Sequence, residues 1–265
     1  VPVSETEENR IAWLGVVLQN LDTELARMNA VSELTQDGSF GALVSYVYPD
    51  SPAAEAGLQP GDILLRIRAP DHHRPIPVHT DDGGFGYDFP WSRLSEVPEE
   101  YLDQIPRPWP SADNAFARTL TDLGFGRPFE LEYFREGRTQ WHAFTVVESP
   151  PHYDSAPRYK SEPLGLTVRD LTYELRRYYQ RRPDDPGVVL SKIEPGSRAA
   201  VAGLRPYEII THVNDQPVAD VGAFRELAND VDRELRLNVR QMTKGRIVKI
   251  RADRAAATQP AMNEP

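Results

Sequence analysis

Residues 48–64 read "YPDSPAAEAGLQPGDIL", and residues 194–210 answer them with "EPGSRAAVAGLRPYEII", 146 positions further on. Set side by side over 46–64 and 192–210, the two stretches share nine of nineteen residues. Pro49, Ser51, Ala53, Ala54, Ala56, Gly57, Leu58, Pro60 and Ile63 recur as Pro195, Ser197, Ala199, Ala200, Ala202, Gly203, Leu204, Pro206 and Ile209. Physical chemistry assigns each residue type a task. Ser caps a short helix, the alanines let that helix lie close to a sheet, and Gly ends it in a left-handed turn. The following Leu enters the core and an apolar strand begins.

The echo extends in both directions. Upstream, "WLGVVLQNLDTELARM" (13–28) matches "PLGLTVRDLTYELRRY" (163–178), each an apolar strand followed by a short amphipathic helix. "GALVSYV" (41–47) and "GVVLSKI" (187–193) follow as β-rich strands. Downstream, "NAFARTLTDL" (114–123) matches "GAFRELANDV" (222–231), with Phe116 and Phe224, Leu120 and Ala228, and Leu123 and Val231 on one helical face. "FELEYF" (129–134) and "LRLNVR" (235–240) close each unit as strands leading into hairpin turns at Gly137 and Gly245. The offset between copies falls from 146 residues to 106, so the first copy carries about forty extra residues between Ala69 and Asp113.

A chain of 265 residues has room for two domains with a core each. Thirty basic against forty acidic side chains, a net charge of −10, disfavour a nucleic-acid partner. The absence of cysteine removes disulfides, thiol catalysis and Cys-ligated zinc. No apolar run approaches the roughly eighteen residues of a membrane span. Beginning at Val1 without Met, the chain reads as a processed mature chain or an excised piece.

The order strand, helix, strand, small helix, strand, helix and strand pair resembles a PDZ domain, twice. Both copies resemble more narrowly the PDZ domains of the HtrA/Deg family of serine proteases, through Trp13-Leu14-Gly15-Val16, Thr23-Glu24-Leu25-Ala26 and "SPAAEAGLQPGDIL" (51–64). The second copy departs from the pattern where Tyr207-Glu208 replaces the Gly-Asp turn and Pro163 precedes Leu-Gly. The resemblance implies a mainly β, α+β fold with short helices: two partly open β-barrel or sandwich domains in tandem. The domain plan is a tail (1–9), a first domain (10–149) with an insertion (70–112), a linker (150–160), a second domain (161–254) and a tail (255–265).

It also implies a binding mode, in which a peptide adds as a strand to an exposed sheet edge beside a helix. The peptide carboxylate would meet the N–H groups of Leu14, Gly15 and Val16 in the first domain, and of Leu164, Gly165 and Leu166 in the second, because a Leu-Gly turn converges backbone amides. Val16, Leu18, Phe116, Leu120 and Leu123 would line the first pocket, and Leu166, Val168, Phe224, Ala228 and Val231 the second. Ala228 in place of Leu120 makes the second pocket the roomier, suited to a terminal Phe. The bland alternative is that these apolar residues only pack on one another.

The insertion holds eight prolines, eight acidic residues against three basic, and the aromatics Phe85, Tyr87, Phe89, Trp91, Tyr101 and Trp109. So aromatic a segment is expected to pack, on the first domain's core or on a partner. Residues 94–105, "LSEVPEEYLDQI", are expected to form a short amphipathic helix burying Leu94, Val97, Tyr101, Leu102 and Ile105. His72, His73 and His79 match no structural zinc spacing, so no metal is expected, and "DDGGFG" (81–86) is too acidic to cradle phosphate. There is no G-x-S-x-G elbow, no H-E-x-x-H helix and no matched Ser-His-acid set, so catalysis and cofactors are not expected in this chain. The reading is a tandem PDZ module binding peptides or protein C-termini, belonging to an HtrA/Deg-like protease whose catalytic domain lies elsewhere, or to a non-catalytic relative, with the bacterial cell envelope or periplasm, or secretion, implied by the resemblance. The rival reading is an assembly subunit with closed grooves that uses its insertion for docking.

Overall fold

The computed structural model describes residues 9–80, 89–229, 233–242 and 244–251. Phe85, Tyr87, the acidic glycine-rich run 81–86, Val231 and the residues assigned to the tails, apart from Asn9, lie outside them. The described residues fall into two compact units, one of residues up to Gly84 with Pro110–Ser155, the other of the 85–109 segment with the chain from Ala156 onward. Among the described residues no helix is long and apolar enough to cross a membrane.

The first unit runs β1 (Ala12–Trp13), β2 (Val16–Asn20), α1 (Thr23–Met28), α2 (Ser32–Thr35), β3 (Ala42–Val47), α3 (Pro52–Glu55), β4 (Ile63–Arg68), β5 (Ile76–Pro77), α4 (Ala115–Leu123), β6 (Pro128–Arg135), β7 (Arg138–Thr145) and β8 (Val147–Glu148). Its antiparallel sheet has the order β2-β3-β4-β6-β7, with β5 added to β4, while β1 pairs separately with β8. Strand β4 is buried on both faces. A bulge between Leu64 and Arg66 reverses its alternation, so Ile63 and Leu65 face a small cluster under α1 while Leu64 and Ile67 face the main core with Phe116, Leu120 and Leu131.

The second unit runs β9 (Arg158–Ser161), β10 (Leu166–Asp170), α5 (Tyr173–Tyr178), β11 (Val188–Ile193), α6 (Arg198–Val201), β12 (Ile209–Val213), β13 (Gln216–Pro217), α7 (Val221–Leu227), β14 (Leu235–Gln241) and β15 (Lys244–Ile250). Its sheet order, β10-β11-β12-β14-β15, repeats that of the first unit, and β9 extends it by one strand beyond β10. Even the irregularities repeat. Bulges fall at Val17/Leu18 and Thr167/Val168. At each of them a serine hydroxyl, Ser45 or Ser191, donates to the carbonyl of Val17 (3.0 Å) or Thr167 (3.2 Å).

The departure at Tyr207-Glu208 keeps the chemistry of Gly61-Asp62. Asp62 is buried, accepts from the Gln59 N–H at 2.7 Å, and takes Nε and Nη2 of Arg135 at 2.6 and 2.5 Å. These hydrogen bonds raise the pKa of the Arg135 guanidinium above its ordinary value. Glu208, equally buried, accepts from the Arg205 N–H at 2.9 Å and from Nη2 of Arg246 at 2.9 Å. Each arginine also donates to the carbonyl that ends the short helix, Gly57 or Gly203. The arginines come from different strands: Arg135 ends β6, whereas Arg246 lies in β15.

The insertion corrects two expectations. Residues 94–105 form no single α-helix but two 3-10 segments, Trp91–Glu96 and Glu99–Gln104. Pro98 explains the break, since it disfavours the α conformation in the residue before it. Nor does the segment pack on the first core. Leu94, Leu102 and Ile105 join the core of the second unit, while Tyr101 is half exposed. Trp109 is buried against Tyr207, ring centroids 5.1 Å apart and edge-to-face, and also meets Tyr178 and Tyr179. Tyr207 occupies φ +65°, a region that costs a residue with a side chain about 1–2 kcal/mol. Its hydroxyl donates to the Ile105 carbonyl at 3.0 Å, and its own carbonyl accepts from the Tyr179 hydroxyl at 2.5 Å. The strained tyrosine is therefore what anchors the segment. Trp109→Ala is expected to destabilise the second unit by about 3–5 kcal/mol and to speed hydrogen exchange across 91–105, while β3 and β4 stay as protected as in the parent chain.

Candidate functional site

The Leu-Gly turn of each unit is fixed from below by its short helix. Ser51 caps α3 by accepting from the Ala54 N–H at 3.1 Å, and Ser197 caps α6 by accepting from the Ala200 N–H at 3.2 Å. The turn then locks onto the helix start through the backbone: Ala53 N–H donates to the Leu14 carbonyl and Ala199 N–H to the Leu164 carbonyl, both at 3.0 Å. Tyr48 and Glu194 N–H groups donate to Gly15 and Gly165 carbonyls at 2.8 Å. Glycine is required at the contact. A Cβ on Gly15 would lie 2.1 Å from that of Ser51, and one on Gly165 would lie 2.2 Å from that of Ser197. Ser51 and Ser197 thus support the turn as well as capping the helix, a role signalled in the sequence by their place before the repeated alanines.

In the first unit the turn opens onto an unpaired edge. Strand β2 bonds to β3 on one side, and among the described residues no strand lies on the other. The N–H groups of Leu14 and Gly15 make no hydrogen bond among the described residues. Val16, Leu18 and Leu123 are half-buried, whereas Phe116 and Leu120 are buried in the main core. The predicted pocket residues thus divide into three walls that remain reachable and two that form the floor. Helix α4 is started by Asn114, which accepts from the Ala117 N–H at 3.0 Å, and Thr121 Oγ1 on the same helix accepts from the Ala12 N–H at 2.8 Å. That second bond ties α4 to β1, just ahead of the turn.

In the second unit the same edge is covered. The linker expected over 150–160 ends in β9, which pairs antiparallel with β10: Ser161 opposite Leu166, Lys160 opposite Thr167, Tyr159 opposite Val168 and Arg158 opposite Arg169. Gly165 N–H donates to the Ser161 carbonyl at 2.8 Å. Leu166 and Val168 are fully buried, as are Phe224 and Ala228, with Leu164 beside them. Tyr159 packs on Phe224 with ring centroids 6.3 Å apart. Asp170, at the end of β10, accepts from the Val221 N–H of α7 at 2.7 Å, and burial raises its pKa against the lowering effect of that bond. Among the described residues no cluster of three His, Asp or Glu side chains could hold a metal.

The contact at Gly15 can be separated from its backbone angle. Gly57 has a similar φ (+73° against +82°), yet a Cβ there would meet nothing within 4 Å. Gly57→Ala is expected to cost about 1 kcal/mol, the left-handed penalty alone. Gly15→Ala should cost clearly more, and urea unfolding of the two variants measures the difference.

A PDZ-domain family model matches residues 155–240 and a second PDZ-domain family model matches residues 43–67. Among curated proteins, a "probable periplasmic serine endoprotease DegP-like" of Pseudomonas putida is 28% identical over 243 residues, covering 88% of this chain and 41% of that protein. Its namesake from Pseudomonas fulva is 28% identical over 242 residues with the same coverage, 88% and 41%. The chain therefore spans about two-fifths of the length of these relatives. Among solved structures, an HtrA-type protease with a decapeptide matches at 23% identity and a TM-score of 0.31, over 54% of this chain and 31% of that one. Two repeats with one strand order, one bulge pattern and one Leu-Gly turn on a serine-capped helix, matched by PDZ family models and by DegP-like relatives, make this chain a tandem of PDZ domains resembling the PDZ region of HtrA-type proteases.

Proposed function

We propose that this chain is the peptide-recognition region of an HtrA/Deg-like protease, or of a non-catalytic relative, acting in the periplasm that the relatives' names specify. Its working site is the groove between β2 and α4. An extended C-terminal segment adds to β2, and its carboxylate is received by the N–H groups of Leu14, Gly15 and Val16. The terminal apolar side chain lies against Val16, Leu18 and Leu123, above Phe116 and Leu120. The observation that carries this reading is that, among the described residues, no strand covers the outer edge of β2 and two N–H groups at its start make no hydrogen bond. Converging backbone N–H groups form an anion-binding concavity, and an incoming carboxylate supplies their acceptor. The relatives' greater length is consistent with a catalytic domain outside this chain.

Peptides with a free apolar terminus are expected to bind with roughly micromolar affinity, near −8 kcal/mol, and to shift the amide signals of Val16–Leu18. Amidating the terminus removes the anion and should weaken binding at least tenfold. Equal affinity for acid and amide in a calorimetric titration, or no shift at β2, would favour the reading of the chain as an assembly subunit.

A further inference from the structure

We propose that the groove between β10 and α7 is a second peptide site closed in cis, with Arg158–Ser161 as its tethered ligand. Four observations converge. Strand β9 extends the sheet by one position relative to the first unit, at the edge where the first unit ends in β2. It runs antiparallel to β10, and its side chains alternate as a groove occupant's must: Tyr159 and Ser161 turn inward, half-buried and buried, while Arg158 and Lys160 are exposed. The Ser161 carbonyl accepts the Gly165 N–H at 2.8 Å, standing where a terminal carboxylate would meet the Leu-Gly turn. Finally, Tyr159 lies on Phe224 of α7, and Leu166 and Val168 are fully buried where their counterparts Val16 and Leu18 are half-buried.

Pro163 is what makes the closure local. Only the turn Glu162–Gly165 separates β9 from β10, and a proline within it restricts the unfolded alternatives. A strand tethered so closely competes at an effective concentration on the order of millimolar. A free peptide of the same intrinsic affinity must therefore reach that range before it displaces β9, and a tighter one proportionally less. The occupant also defines the ligand class: an extended segment with an aromatic residue two positions before a small last residue.

The test uses the full chain and the peptide Arg-Tyr-Lys-Ser with a free carboxylate. In the parent chain, β10 amides should be protected from exchange and unmoved by micromolar probe. Tyr159→Asp places a charge in the apolar groove. It should speed exchange at the β10 edge and let the probe bind there at least tenfold more tightly, while Tyr159→Phe behaves as the parent. The proposal is overturned if the parent takes the probe at β10 as tightly as Tyr159→Asp does. It is equally overturned if Tyr159→Asp, with β11 and β12 still protected, binds no better than the parent. Should that variant lose β11–β12 protection, the parent decides: probe raised above about 10 mM must shift Tyr159 and β10 together, and no shift in either refutes the tethered-ligand assignment. The first groove reports through β2 amides, so a failure there is distinguishable from a failure here.

Discussion

Both units rest on one close contact, a glycine pressed against the serine that caps the short alanine helix. The added Cβ would lie little more than 2 Å from the serine's at Gly15 and at Gly165 alike. That contact, with the backbone bonds from Ala53 and Ala199, sets the height and tilt of the Leu-Gly turn. The turn in turn decides where β2 and β10 start and which amides face outward. The repeated motif is thus less a binding motif than a foundation. Its small residues are small because a turn has to sit on them, and the proposed site is a consequence of what they support.

The two copies share this foundation and diverge in what approaches it. In the first, the chain ahead of the turn passes through β1, which pairs with β8 and bonds to Thr121 of α4. Among the described residues the Leu14 and Gly15 N–H groups have no acceptor and β2 has no strand on its outer side. In the second, the chain ahead folds back through Glu162 and Pro163 and lies along β10. One scaffold thereby yields an open edge and a covered one. An uncovered edge is ordinarily a liability for a sheet, and its persistence at β2 beside half-buried apolar walls is the physical basis for reading it as a site.

The acid–arginine pair shows how a fold constraint survives a change of residues. A buried carboxylate needs a cation and hydrogen bonds to offset its desolvation. Asp62 finds Arg135 on β6, and the longer Glu208 finds Arg246 on the neighbouring strand β15. Tyr207 likewise departs from Gly61 without loss of the turn, because its ring, packed against Trp109, compensates the left-handed backbone.

What the sequence by itself determined was whatever depends on local order: the repeat, the small-residue helix, the alternating strands, the Leu-Gly turn, and hence the doubled PDZ fold and the identity of the turn residues. These are set by interactions between residues close in the chain and recur in the same order in both copies. Tertiary structure alone decided where the 89–109 segment packs, since Leu94 and Trp109 would be equally apolar against either core, and it is Tyr178, Tyr179 and Tyr207 that Trp109 meets. It also decided which groove is covered. Residues 158–160 read as the end of a linker, because a strand's hydrogen-bond partner is invisible in its own sequence: an edge is a relation between backbones, and β10 acquires its neighbour only once Pro163 has turned the chain.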